Sequence, residues 1–167
     1  ITAPDGTLLS TIDRTDTVLT QQEYDAKGRI KSKRTVTNDR QGKAAFVETD
    51  YYESGAVKKI EDSKEQTTQE FYESGQKKVY IRRHAMIETE RIEYDEQGRK
   101  KMHDYEKERI LYKEQYTEGV LLIKETRAWN EDLIRTEFYE KGVMHYYEIE
   151  DPSLSEIRKY DANNKLL

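Results

Sequence analysis

Apolar and polar positions alternate in short runs along this chain, and at regular intervals the runs end in a polar cluster closed by glycine. After the glycine, apolar side chains recur two and four positions on: Ile30, Val57, Val79, Met102, Leu121 with Ile123, and Met144 with Tyr146. A period of two marks strands with one face turned inward, not helices. Lys77 and Lys100 interrupt the pattern, and their aliphatic stems can still cover apolar surface. An aromatic residue precedes each turn. Tyr24, Tyr51, Phe71, Tyr94, Phe138 and Tyr160 stand four positions before the turn marker, and Tyr52, Tyr72, Tyr116 and Tyr139 stand three before it. An aromatic strand end, two or three polar residues, glycine and a new strand together predict a β-hairpin. The glycine is expected at the left-handed position of a type I turn with a G1 bulge.

The turn markers form one series: Gly6, Gly28, Gly55, Gly75, Gly98, Gly119, Gly142 and, with Asn replacing Gly, Asn164. Asn is the residue best able to follow glycine into positive φ. Gly42 falls outside the series, in the one long gap, where Asn38–Lys43 reads as a loop insertion. A second polar break divides each unit, at 62–66, 82–85, 106–109 and 129–132. Two strands per unit give 12 to 16 strands of roughly 5–7 residues. Each strand offers about one aromatic and one aliphatic residue, less than a sandwich or closed barrel requires. The predicted fold is therefore all-β. It is an elongated antiparallel meander of β-hairpin repeats of about 20–23 residues, largely single-layered and twisted or curled. Residues 1–167 form a single repeat domain on this reading. A short helix or a turn is open around Ser153–Arg158.

Composition sharpens this picture. Hydrophobic residues make up 34% and charged residues 38%, a balance close to that of disordered chains. The 13 Tyr argue for a folded but thin structure, because disordered segments are poor in aromatics. The net charge of −5, with both signs interspersed, gives no case for nucleic acid. Lys27, Arg29, Lys31 and Lys33 fall on one face at strand spacing and read as a solvated, protected edge. There is no Cys, which excludes disulfides and thiol chemistry. No run approaches the ~18 apolar residues of a membrane span. No signal peptide is visible, and the chain starts at Ile1. Removal of a leader and trimming both account for that start. A periplasmic, secreted or lipoprotein-type envelope location is favoured over a cytoplasmic one.

Candidate chemistry is sparse. His84, His103 and His145 lie in different units without metal-ligand spacing, and no phosphate-loop, dinucleotide or nucleophile-elbow motif occurs. Carboxylates are so numerous that some pair will fall at the ~5–9 Å spacing of glycosidases, so such a pair is uninformative. No catalytic residue, metal or cofactor is expected, and a hydrolase built on surface carboxylates is the least favoured alternative. Tyr112, Tyr116, Trp129, Tyr139, Tyr146 and Tyr147 cluster in the last third of the chain. Tyr and Trp are enriched at protein-binding hot spots, which makes these six the candidate partner-binding residues. The tyrosines at the repeat position read first as a ladder holding the sheet together, whereas Trp129, in a mid-unit turn, stands outside that position and fits either role. A protein partner is expected, with carbohydrate stacked on aromatic rows as the alternative. Open strand edges add the expectation of edge-mediated self-association.

The phrases at Tyr51–Lys59, Phe71–Lys78 and Phe138–Glu148 resemble the MORN-repeat variant of bacterial YwqK-type antitoxin proteins. Those at Tyr24–Ile30 and Tyr94–Lys100 are also similar to the YD repeats of bacterial Rhs-type proteins. The similarity covers residues 20–167 loosely and these five phrases well. The MORN variant commonly carries a second glycine in each unit, which the breaks at 82–85, 106–109 and 129–132 lack. The first resemblance implies a non-catalytic binding protein, an antitoxin or immunity partner of a secreted toxin. The second implies part of a β-rich shell or a carbohydrate-contacting surface.

Overall fold

A computed structural model describes residues 1–3, 7–38, 41–85 and 87–167. Gly6 of the marker series and Asp39 and Arg40 of the insertion lie outside the described residues. The chain divides into two compact units, Ile1–Ile87 and Glu88–Leu167. The first carries β1 (Ser10–Arg14), β2 (Val18–Tyr24), β3 (Ile30–Asn38), β4 (Ala44–Tyr51), β5 (Val57–Asp62), β6 (Thr67–Phe71) and β7 (Lys77–His84). The second carries β8 (Ile87–Tyr94) apart from its first residue, then β9 (Lys100–Lys107), β10 (Ile110–Thr117), β11 (Val120–Ala128), β12 (Ile134–Glu140), β13 (Val143–Asp151) and β14 (Glu156–Asp161). No helix occurs among the described residues. In each unit the strands pair antiparallel in chain order, and the first and last do not pair with each other. Each is thus an open meander, as the hairpin pattern predicts. Among the described residues of each unit, strand contacts run only between chain neighbours, so each sheet is a single layer there.

The turns explain the spelling of the repeat. At Gly28, Gly55, Gly75 and Gly98 the backbone takes φ of 77 to 87°, and the pairing register slips by one residue beside the turn. This is the expected type I turn with a bulge: Gly55 N–H donates to the Tyr52 carbonyl at 2.9 Å, and Tyr52 N–H to the Ala56 carbonyl at 2.8 Å. Where Asp opens the turn, its carboxylate clasps the loop. Asp25 Oδ1 accepts from the N–H groups of Lys27 (2.9 Å) and Arg29 (3.0 Å), and Oδ2 accepts from Arg29 Nε at 2.7 Å. These bonds, led by the Arg29 N–H, hold the Asp25 carboxyl below its ordinary range. Asp161 repeats the clasp around Asn164, whose φ of 64° fits its role as the glycine substitute.

Several expectations are corrected. Gly119 and Gly142 do not follow the type I scheme. Glu118 (φ 52°) and Lys141 (φ 53°) are left-handed too, giving two-residue turns of the I′ type, with register slips two or more residues back. The break at 106–109 is the same turn without glycine, at Glu108 and Arg109. The break at 82–85 sits later than expected, because β7 runs on to His84. Lys27 and Arg29 belong to a turn, not to a strand face; Arg29 pairs with Asp25 and Glu53. Around Ser153 the chain forms a turn on Asp151 Oδ1 and then enters β14.

Among the described residues no large side chain is fully buried. In the first unit Thr68 (4% exposed), Val79 (6%) and Ile81 (7%) share one face across the β6–β7 pairing. In the second, Tyr147 (5%) is the most enclosed of the core residues. A Cβ added at Gly75 would meet nothing within 4 Å, so the cost of Gly75→Ala is the backbone term alone. The expected loss is about 1–2 kcal/mol for forcing a Cβ into the left-handed region, read as a lowered midpoint of urea unfolding.

Candidate functional site

The pairing registers of the second unit assemble two transverse rows on one face. One row runs His103, Glu114, Lys124, Glu137, Tyr147, Tyr160. The next runs Glu90, Tyr105, Tyr112, Thr126, Arg135, Ile149. Side chains stack along these rows because directly opposed strand residues are the closest neighbours a sheet offers. Tyr105 and Tyr112 stack at 4.7 Å between ring centroids, and Tyr147 and Tyr160 at 5.0 Å. The Arg135 guanidinium lies 3.9 Å above the Tyr147 ring, and Lys124 Nζ stands 5.2 Å from that of Tyr112.

Carboxylates lock the tyrosines. Tyr116 donates to Glu114 Oε2 at 2.5 Å, and Tyr105 donates to Glu114 Oε1 at 3.2 Å. Tyr139 donates to Glu137 Oε2 at 2.8 Å, while Arg135 Nε donates to Glu137 Oε1 at 2.9 Å. Beside Glu114, His103 contacts Glu90 through Nε2 (3.1 Å) and Glu114 through Nδ1 (3.5 Å). Burial, reinforced by Glu114, pushes the Tyr105 phenol up to about 12. Burial and the bond to Glu137 do the same for Tyr139, also to about 12, and Tyr116 is raised for like reasons.

The structure brings four of the six candidates together and separates two. Tyr112, Tyr116, Tyr139 and Tyr147 belong to this face. Tyr146 faces the other way, stacked on Phe138 at 4.5 Å with Lys159 Nζ 3.6 Å from its ring. Trp129 lies in the β11–β12 loop, 62% exposed, its backbone N–H donating to the Arg109 carbonyl at 3.0 Å. Near the same end of the sheet, a depression of about 320 Å³ opens among Ile110, Tyr112, Leu133, Arg135 and Ile149. Its lining is mostly apolar, and Leu133 is an exposed residue of the Trp129 loop. No group of three or more His, Asp or Glu is placed to hold a metal ion among the described residues, and no helix is long and apolar enough to cross a membrane.

Sequence reasoning misses the carboxylates and Arg135 because each reads in isolation as a solvated charge. The signal is present: Glu114 and Glu137 each stand two positions before a tyrosine that bonds them, as does Gln22, which accepts from Tyr24 at 3.1 Å. Neither a family model nor a curated protein sequence matches this chain.

The raised phenols fix a pH dependence. The folded state holds these protons more tightly than an unfolded chain, where tyrosine titrates near ~10. Their stabilising effect is therefore complete below about pH 10 and is lost as pH rises toward about 12. Urea midpoints measured alongside tyrosinate absorbance should fall across that window, and less steeply in Tyr116→Phe.

Proposed function

We propose that this chain is a non-catalytic bacterial repeat protein that binds a protein partner, of the antitoxin or immunity type, on the row-bearing face of its second unit. The observation that carries this reading is the apolar depression at Ile110, Tyr112, Leu133 and Ile149 beside the exposed loop of Trp129. Exposed apolar surface rimmed by charge marks interaction sites, and a Trp beside a shallow hollow is the composition of a binding hot spot. The stacked and carboxylate-locked tyrosines next to it present a rigid platform, which limits the ordering cost of association. The antitoxin element rests on the resemblance of the Tyr51, Phe71 and Phe138 phrases to the MORN variant.

The alternative is carbohydrate binding at the cell envelope. The exposure of Trp129 favours it, since a free indole face suits a sugar ring. The ladder tyrosines serve it less well, because Tyr112 and Tyr147 already carry a ring and a cation against them.

Co-purification with the products of neighbouring genes should yield one stoichiometric protein partner. Trp129→Ala and Leu133→Asp should each weaken that complex by about 2 kcal/mol, some thirtyfold, while Tyr146→Ala on the opposite face leaves it unchanged. Binding that ignores Trp129 and Leu133, or a glycan bound through Trp129 with no protein partner, would overturn the reading.

A further inference from the structure

The first unit holds a hollow on the face that carries its best-buried residues. β5 and β6 are short, six and five residues long, against eight in each of the flanking β4 and β7. Phe46 and Arg83 therefore stand level with the end of the β5–β6 hairpin. There Ser63 N–H donates to the Phe46 carbonyl at 2.9 Å, and Arg83 N–H donates to the Gln66 carbonyl at 2.8 Å. One row further in, Glu61, Thr68 and Ile81 stand opposite one another, and the row beyond holds Lys59, Glu70 and Val79. The space left between the long side chains of Phe46 and Arg83 is about 360 Å³, with a mainly apolar surface that reaches Ile81, Lys59 and Glu70.

The charges around this hollow are matched except for two. Lys59 Nζ donates to Glu61 at 3.0 Å, and Asp62 Oδ1 accepts from the N–H groups of Lys64 and Glu65 at 2.9 and 3.0 Å. Arg83 has no carboxylate partner among the described residues. Its Nη1 donates instead to the hydroxyl of Thr68 at 2.8 Å, a residue only 4% exposed. The other half-buried arginines among the described residues, Arg29, Arg91 and Arg135, each lie within 2.9 Å of a carboxylate. Glu70 is half-buried too and makes no hydrogen bond or ion pair among the described residues, because Lys59, opposite it, is held by Glu61. A charge withdrawn from water without a partner is costly, and here one cation and one anion are left so in the same hollow.

We propose that this hollow binds a free α-amino acid with a large apolar side chain. Beyond its bond to Thr68, the Arg83 guanidinium still offers a carboxylate two parallel N–H donors. Glu70 follows Thr68 by two positions on the same face, about 6.6 Å along the strand. An α-amino acid has its nitrogen about 2.5 Å from its carboxyl carbon. With a hydrogen bond of about 2.8 Å at each end, it bridges a gap of that size, carboxylate on Arg83 and ammonium on Glu70. Its side chain then lies against Ile81 and the edge of Phe46, whose ring face carries Arg34 at 4.4 Å. A simple anion would meet Glu61 and Glu70 as well as Arg83, and a simple amine would meet Arg83. Only a ligand of both signs satisfies both groups. The site lies wholly in the first unit and is independent of the partner surface proposed for the second.

Calorimetric titration of the whole chain with L-phenylalanine and with L-leucine should show saturable one-to-one binding of at least one of them. Analogues that keep only one of the two charges should bind at least tenfold more weakly: hydrocinnamate and phenethylamine for phenylalanine, isocaproate and isoamylamine for leucine. Arg83→Met and Glu70→Gln should each weaken binding by about tenfold or more, the loss of a hydrogen bond between charged groups. Arg83→Lys, a cation without the fork, should recover only part of it. Circular dichroism checks that each variant folds, and the analogue series needs no variant at all. No binding of either amino acid, equal binding of a singly charged analogue, or indifference to both Arg83→Met and Glu70→Gln would overturn the proposal.

Discussion

A single-layered sheet buries few side chains, and the packing of this protein follows from that constraint. With no second layer to bury against, an apolar residue is covered only by its neighbours on the same face. The side chains that do this best are long or flat. Tyrosine rings stack on rings, lysine and arginine stems lie over them, and phenol tips return to carboxylates. The high charge content is therefore part of the packing and not merely a coat over it. Glu114 accepts from two tyrosines, and Glu137 from a tyrosine and an arginine.

Legibility from the sequence follows the range of each interaction. Turns depend on a few adjacent residues, so Gly28, Gly55, Gly75 and Gly98 announce their conformation, and Asn164 can be recognised as their substitute. Reading fails where two local solutions share a glycine. The turns at Gly119 and Gly142 are tighter than those at Gly55 and Gly75, and the difference lies in whether the preceding residue also turns left-handed. Glu118 and Lys141 carry no obvious sign of that. Arg29 misleads for a related reason: alternation with Lys31 and Lys33 looks like strand spacing, but the Asp25 clasp holds it in a turn.

The candidate site is half legible. Tyrosine abundance draws attention to the last third of the chain, where the stacked rows form. Which face each tyrosine occupies depends on register, and the slips beside the turns at Gly28, Gly55, Gly75, Gly98, Gly119 and Gly142 shift that parity. Tyr146 and Tyr147, neighbours in β13, face opposite ways because side chains alternate along a strand, and they meet different partners. The depression near Leu133 and Ile149 joins residues from β10 to β13, a distance no local pattern reports.

Strict chain order among the strands has a consequence for how the molecule is made. Every pairing within a unit closes a short loop, so no strand waits for a distant partner before it can be satisfied. Local pairings cost little chain entropy and form early. A chain emerging from the ribosome can therefore complete each hairpin on the one before it, and a growing sheet exposes one unfinished strand at a time.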